Sequence, residues 1–134
     1  LSNEGEDITY CFRFQNELMA AYSSFITGEG SLENMQALSS AELLVIKKSE
    51  MEKLTKSPNW IKFLKIIAEQ NYLELEKRVF QLQRDYAVQR YTLLLENQPE
   101  YIQQIPLQYL SSYLGITQRH LSRIRKEIVF GQMS

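Results

Sequence analysis

Residues 106–127 read Pro106-Leu-Gln-Tyr-Leu-Ser-Ser-Tyr-Leu-Gly-Ile-Thr-Gln-Arg-His-Leu-Ser-Arg-Ile-Arg-Lys-Glu127. This stretch predicts two short helices joined by a tight turn. Pro106 suits the first position of a helix, where its missing N–H costs nothing. Leu107, Leu110 and Leu114 share one face, and Ser111 is small enough for a second helix to cross closely. Gly115 comes after the last apolar residue and can adopt the left-handed conformation that stops a helix. Ile116 fills the turn, and Thr117 is a good N-cap for the second helix. Leu121, Ile124 and Ile128 then point inward. Arg119, Ser122, Arg123 and Lys126 fall at i, i+3, i+4 and i+7 on the opposite face. Such a helix-turn-helix presents its second helix outward, the geometry that enters a DNA major groove. An ordinary corner between two helices has the same apolar pattern without that use.

Charge is distributed unevenly along the 134 residues. Residues 1–56 carry five Lys/Arg and nine Asp/Glu, residues 57–100 six of each, and residues 101–134 four Lys/Arg and one Glu. The positive end coincides with the helix-turn-helix, as a footprint on phosphate requires. The overall formal charge is only −1 and the local excess is small, so charge alone proves little. The lone Cys11 excludes an intrachain disulfide and a cysteine-based zinc site, and it is expected to face a sheet core. A single thiol fits a cytoplasmic protein. No apolar run is long enough to cross a bilayer, and no signal peptide is visible.

Upstream, Ser57-Pro58 is a helix start, and no Gly or Pro interrupts the chain from Asn59 to Asn97. Ile61, Ala68, Leu75 and Leu82 recur every seven residues, and Leu64, Tyr72 and Val79 widen the stripe. Residues 57–84 therefore read as a dimerisation helix whose seam meets the same helix of a second copy. Asn71 and Arg78 lie at the seam edge. Packing on its own chain alone is the competing reading. A break near Gln83-Arg84-Asp85 separates it from residues 85–134, the helix-turn-helix domain, where Tyr91, Leu94 and Leu95 pack behind the motif. Trp60 and Phe63 are expected to hold the long helix on the preceding domain.

Residues 1–56 read as β structure. Ile8 to Phe14 alternates β-formers, Gln15-Asn16-Glu17 breaks the run, and Leu32 to Leu38 and Glu42 to Ile46 are two further strands. Tyr22 and Phe25 sit in a helical turn between them. So few strands would leave exposed edges, so further strands are expected before Leu1. The competing reading is a small sheet complete in itself. The expected fold class is α+β.

The order of parts resembles the cyclic-AMP receptor protein and fumarate–nitrate regulator (Crp–Fnr) family of bacterial transcription factors. The likeness is strongest over Ile105–Ile128, in Ser-Tyr-Leu-Gly-Ile-Thr followed by Leu-Ser-Arg-Ile-Arg. It implies that residues 1–56 are the second half of a cyclic-nucleotide-binding-type β jelly roll, and that the C-terminal domain is winged-helix-like, although the tail after Val129 is too short for a full wing. It implies DNA base contacts from Gln118, Arg119, Ser122 and Arg123. Each arginine can donate two hydrogen bonds to guanine, and Gln118 can read adenine. Phosphate contacts would come from Gln108, Ser112, Tyr113, Thr117, Arg125 and Lys126. Asn16-Glu17-Leu18 keeps the Glu and Leu of the family's phosphate cassette but not its Gly, and no arginine lies between Arg13 and Arg78. Tight cyclic-AMP binding is therefore not expected, and no cofactor is implied. Glu17 is the one candidate effector contact, with a solvent-facing carboxylate as its plainer reading.

No constellation for catalysis stands out. His120 is the sole histidine and has neither a second His nor a Cys with which to hold a metal. The acids Glu69, Glu74 and Glu76 are matched by Lys65, Lys77 and Arg78, a solvated helix face. The expectation is a non-enzymatic, sequence-specific regulator acting as a homodimer on double-stranded DNA, with RNA polymerase as a further partner and no membrane. A ligand sensor binding a cyclic nucleotide or small anion in the barrel is the alternative. A module that uses the helix-turn-helix against protein is the third.

Overall fold

The structure is a computed structural model that describes residues 7–131. The chain divides into two compact units, Arg13–Glu74 and Leu1–Phe12 with Leu75–Ser134. The elements in order are α1 (Tyr22–Thr27), α2 (Lys48–Leu54), α3 (Pro58–Arg84), α4 (Ala87–Asn97), α5 (Pro99–Gln104), α6 (Leu107–Tyr113) and α7 (Gln118–Gly131).

In the unit Arg13–Glu74 the chain turns at Asn16, whose φ of 66° is left-handed. Asn tolerates that region better than most residues. The Glu17 carboxylate accepts the Phe14 N–H at 2.8 Å, and the Glu17 N–H donates to the Phe14 carbonyl at 3.2 Å. α1 stops at Gly28, again left-handed. α3 begins at Pro58, as the Ser57-Pro58 pair predicts. The N–H groups of Trp60 and Ile61 both donate to the Ser57 carbonyl at 3.1 Å. With 27 uninterrupted residues at 1.5 Å each, α3 is about 40 Å long.

The second unit holds the core. Tyr91 and Leu94 of α4, Tyr101 of α5, Ile105, Leu110 of α6, Leu114, and Leu121 and Ile124 of α7 are buried. Their three- and four-residue spacings put one stripe of each helix inward. Each fully buried Leu or Ile contributes about 1.5–3 kcal/mol. Ser111 is buried beside them, and its hydroxyl donates to the Gln108 carbonyl at 3.0 Å, so the small polar residue enters the core with its hydrogen bond made. Pro106 sits one position earlier than the sequence predicts. It is the N-cap of α6, and its carbonyl accepts from the N–H groups of Tyr109 and Leu110.

The turn between α6 and α7 is closed by its own backbone. The Ile116 N–H donates to Ser111 O and the Gly115 N–H to Ser112 O, both at 3.0 Å. These are the two bonds of a Schellman stop. Gly115 has φ 67°, and a Cβ there would meet only Leu82 Cδ2, at an ordinary 3.5 Å. The cost of a side chain is thus one of backbone conformation, not of space. Gly115→Ala should destabilise by about 1 kcal/mol, and Gly115→Asn by less, measured as the shift in urea midpoint at unchanged slope.

The α+β expectation is overturned: among the described residues there is no strand. Residues 8–14, 32–38 and 42–46 are irregular, and Leu32, Leu44 and Val45 are 99%, 101% and 83% exposed. The β preference of Ile, Val, Tyr and Phe is a preference for a half-buried pleated surface with cross-strand neighbours. None of the three runs is assembled into a sheet among the described residues, so the preference is not realised as a strand. The partial jelly roll, the cyclic-nucleotide-binding-like domain and the barrel-based ligand sensor go with it. Cys11 is exposed rather than facing a sheet. Tyr22 is exposed and Phe25 half-buried. Trp60 and Phe63 pair with each other, centroids 5.3 Å apart, along α3.

One part of the first run has a different role. Phe12 is buried in the helical unit. Its ring meets Tyr101 edge-on at 5.3 Å and Tyr113 at 5.3 Å, while Tyr101 and Tyr113 are 5.9 Å apart. Offset and edge-to-face rings at such distances attract beyond their buried area. Three residues earlier, the Thr9 N–H donates to Ser112 Oγ at 2.9 Å. Part of an alternating apolar run that reads as a strand is here a strap that packs on the helices through Thr9 and Phe12.

Candidate nucleic-acid interface

α7 starts at Gln118 because Thr117 caps it, accepting the His120 N–H on its hydroxyl at 3.2 Å. Leu121 and Ile124 fix the helix from beneath at 0% and 1% exposure. That leaves the opposite side outward. Gln118, Arg119, Arg123 and Lys126 are exposed and Ser122 is half-exposed. The five lie at i, i+1, i+4, i+5 and i+8, one continuous helical face. Three of them are cationic. Arg123 Nε lies 3.6 Å from Glu127 Oε1, one turn on, with both side chains mostly in solvent.

The phosphate candidates separate into two groups. Gln108, Thr117 and Lys126 are exposed. Ser112, Tyr113 and Arg125 are engaged inside the unit. Ser112 takes the Thr9 amide, and its hydroxyl lies 3.5 Å from the Asp7 carbonyl. Tyr113 packs on Phe12 and Tyr101. Arg125 is half-buried, its guanidinium 5.9 Å from the Tyr91 ring centroid. Its Nε is buried without a hydrogen-bond acceptor among the described residues. Glu17 lies in the other unit and is exposed, its carboxylate occupied by the Phe14 amide.

The seam positions of α3 are open. Ile61, Tyr72, Leu75, Val79 and Leu82 are exposed, Leu64 and Ala68 half-buried, and none of the helix is buried.

No known family, curated protein or solved structure matches the chain significantly. No helix among the described residues is long and apolar enough to cross a membrane.

Two arginines that the sequence reading does not assign to the motif hold it in place. Arg90 of α4 donates from Nε to the Leu114 carbonyl at 3.1 Å and from Nη1 to the Asp85 carbonyl. It thereby satisfies carbonyls at the end of α6 and just past the end of α3 together, where helix termini leave acceptors without partners. Arg78 of α3, placed by the sequence at the seam edge, stacks its guanidinium 4.0 Å from the Tyr113 ring centroid. Burial lowers its pKa from the usual arginine value, with the nearby Arg90 charge acting the same way and Tyr113 opposing. An arginine on an aromatic face is a favourable cation–π pair. No local pattern marks either residue; only the spatial return of α4 and α3 to the turn does.

Proposed function

We propose that this chain is a sequence-specific, double-stranded DNA-binding regulator of transcription that acts as a homodimer. The observation that carries the reading is the outward face of α7. Gln118, Arg119, Ser122, Arg123 and Lys126 stand opposite a core that fixes the helix through Leu121 and Ile124. Arginine offers a planar fork to guanine O6 and N7, and glutamine a matched donor and acceptor to adenine. Lys126 and the Thr117 hydroxyl, which uses a lone pair in capping and keeps its own hydrogen, suit phosphate oxygens. The likeness to Crp–Fnr proteins is proposed for Ile105–Ile128 only. Contact with RNA polymerase is part of the same proposal, as the usual partner of a bound regulator.

Dimerisation is supported by the α3 seam, an apolar stripe of heptad spacing of which Ile61, Tyr72, Leu75, Val79 and Leu82 are exposed in the single chain while Leu64 and Ala68 are half-buried. Covering it with a second copy removes that area from water. Two recognition helices would then read half-sites about 34 Å apart. Selection of bound sites from random duplex DNA tests the reading. The expected result is a two-fold symmetric consensus whose affinity falls steeply with salt as counterions are released. Leu75→Glu should convert the sedimenting dimer to a monomer and abolish binding to that consensus. Absence of any enriched sequence would refute the proposal, and an enriched but asymmetric site bound by monomers would refute its dimeric part.

A further inference from the structure

We infer that Glu127 is a positioning residue for Arg123, aiming its guanidinium at a base edge; the inference rests on the DNA-binding reading above. Glu127 is the sole acidic residue after Glu100. It stands at the border of the cationic face, where a carboxylate repels the phosphates that the neighbouring cations attract. Its partner there is Arg123, with Oε1 3.6 Å from Nε, and the two are one helical turn apart. Such an exposed pair contributes little to stability, so its consequence is one of geometry. A guanidinium has five donor hydrogens in a rigid fork. The ion contact, longer than a hydrogen bond, biases Nε towards Glu127 and leaves the paired Nη1 and Nη2 ends to donate together. That is the arrangement guanine O6 and N7 require. The two effects of Glu127 on binding therefore have opposite sign. It weakens attachment to any duplex and sharpens the choice between bases.

The test uses the full chain, its selected duplex, the same duplex with the guanine read by Arg123 replaced, and random duplex, at one fixed salt concentration. Glu127→Ala should raise affinity for random duplex roughly threefold or more, since one repulsive charge is gone. It should lower the preference for guanine over its replacement by about twofold, the scale of effect an exposed one-turn ion pair can supply. Glu127→Gln, which keeps an oxygen acceptor, should match the first change and lose less of the preference. Neither change should follow the small shift in melting temperature that loss of a helix pair brings. A preference unchanged in Glu127→Ala while the unaltered chain still selects a symmetric site would overturn this inference alone. A parallel fall in affinity for all three duplexes would overturn it too, since it indicates a structural role. If no duplex is selected by any variant, the DNA-binding reading fails and takes the inference with it.

Discussion

Arg123→Ala should lower discrimination at one base pair of each half-site by about 1–3 kcal/mol, roughly 5- to 150-fold. The loss should be specific to that position. Arg123 is exposed and its one ion pair is solvent-facing, so the variant should melt close to the unaltered chain. Lys126→Ala, on the same face and also exposed, should behave differently. It should weaken all duplexes alike and reduce the slope of log affinity against log salt by about one. Competition binding over a set of single-base variants, repeated at three salt concentrations, separates the two. If Arg123→Ala weakened all sequences equally, its role would be phosphate neutralisation, and base reading would fall to Gln118 and Arg119.

Leu121→Ala should cost about 2–5 kcal/mol, because Leu121 is 0% exposed and truncating it loses buried apolar surface and leaves a cavity. Leu110, Leu114 and Ile124 are held to within 1% of full burial. For a protein of ordinary stability that is a large share of the total. Urea or thermal unfolding monitored by helix signal checks it, with Lys126→Ala as the surface control, expected within about 0.5 kcal/mol of the unaltered chain. A cost under about 1 kcal/mol would mean that α6 and α7 are not packed as described.

The helical half is legible in sequence where local chemistry decides the outcome. Gly115 supplies the left-handed stop, Thr117 caps α7, Ser57-Pro58 opens α3, and the buried set Leu110, Leu114, Leu121 and Ile124 comes from spacing alone. Each of these depends on residues within a turn or two of one another. The strand expectation fails for the opposite reason. A strand is stabilised by partners remote in sequence, and the alternation in Ile8–Phe14 cannot tell a sheet face from a strap whose Phe12 plugs a helix bundle. The same limit hides Arg78 and Arg90, whose partners Tyr113 and Leu114 lie 35 and 24 residues away. It also puts Ser112 and Tyr113 among the phosphate candidates, since α6 alone does not reveal that Thr9 and Phe12 come back to meet them.

The placement of Phe12 makes the C-terminal unit discontinuous in the gene. A proteolytic fragment starting at Leu75 would retain all four of its later helices, yet lack the aromatic plug between Tyr101 and Tyr113. Such a fragment would carry a vacancy shaped for a short peptide, and a synthetic copy of residues 7–12 added in trans is the natural molecule to fill it.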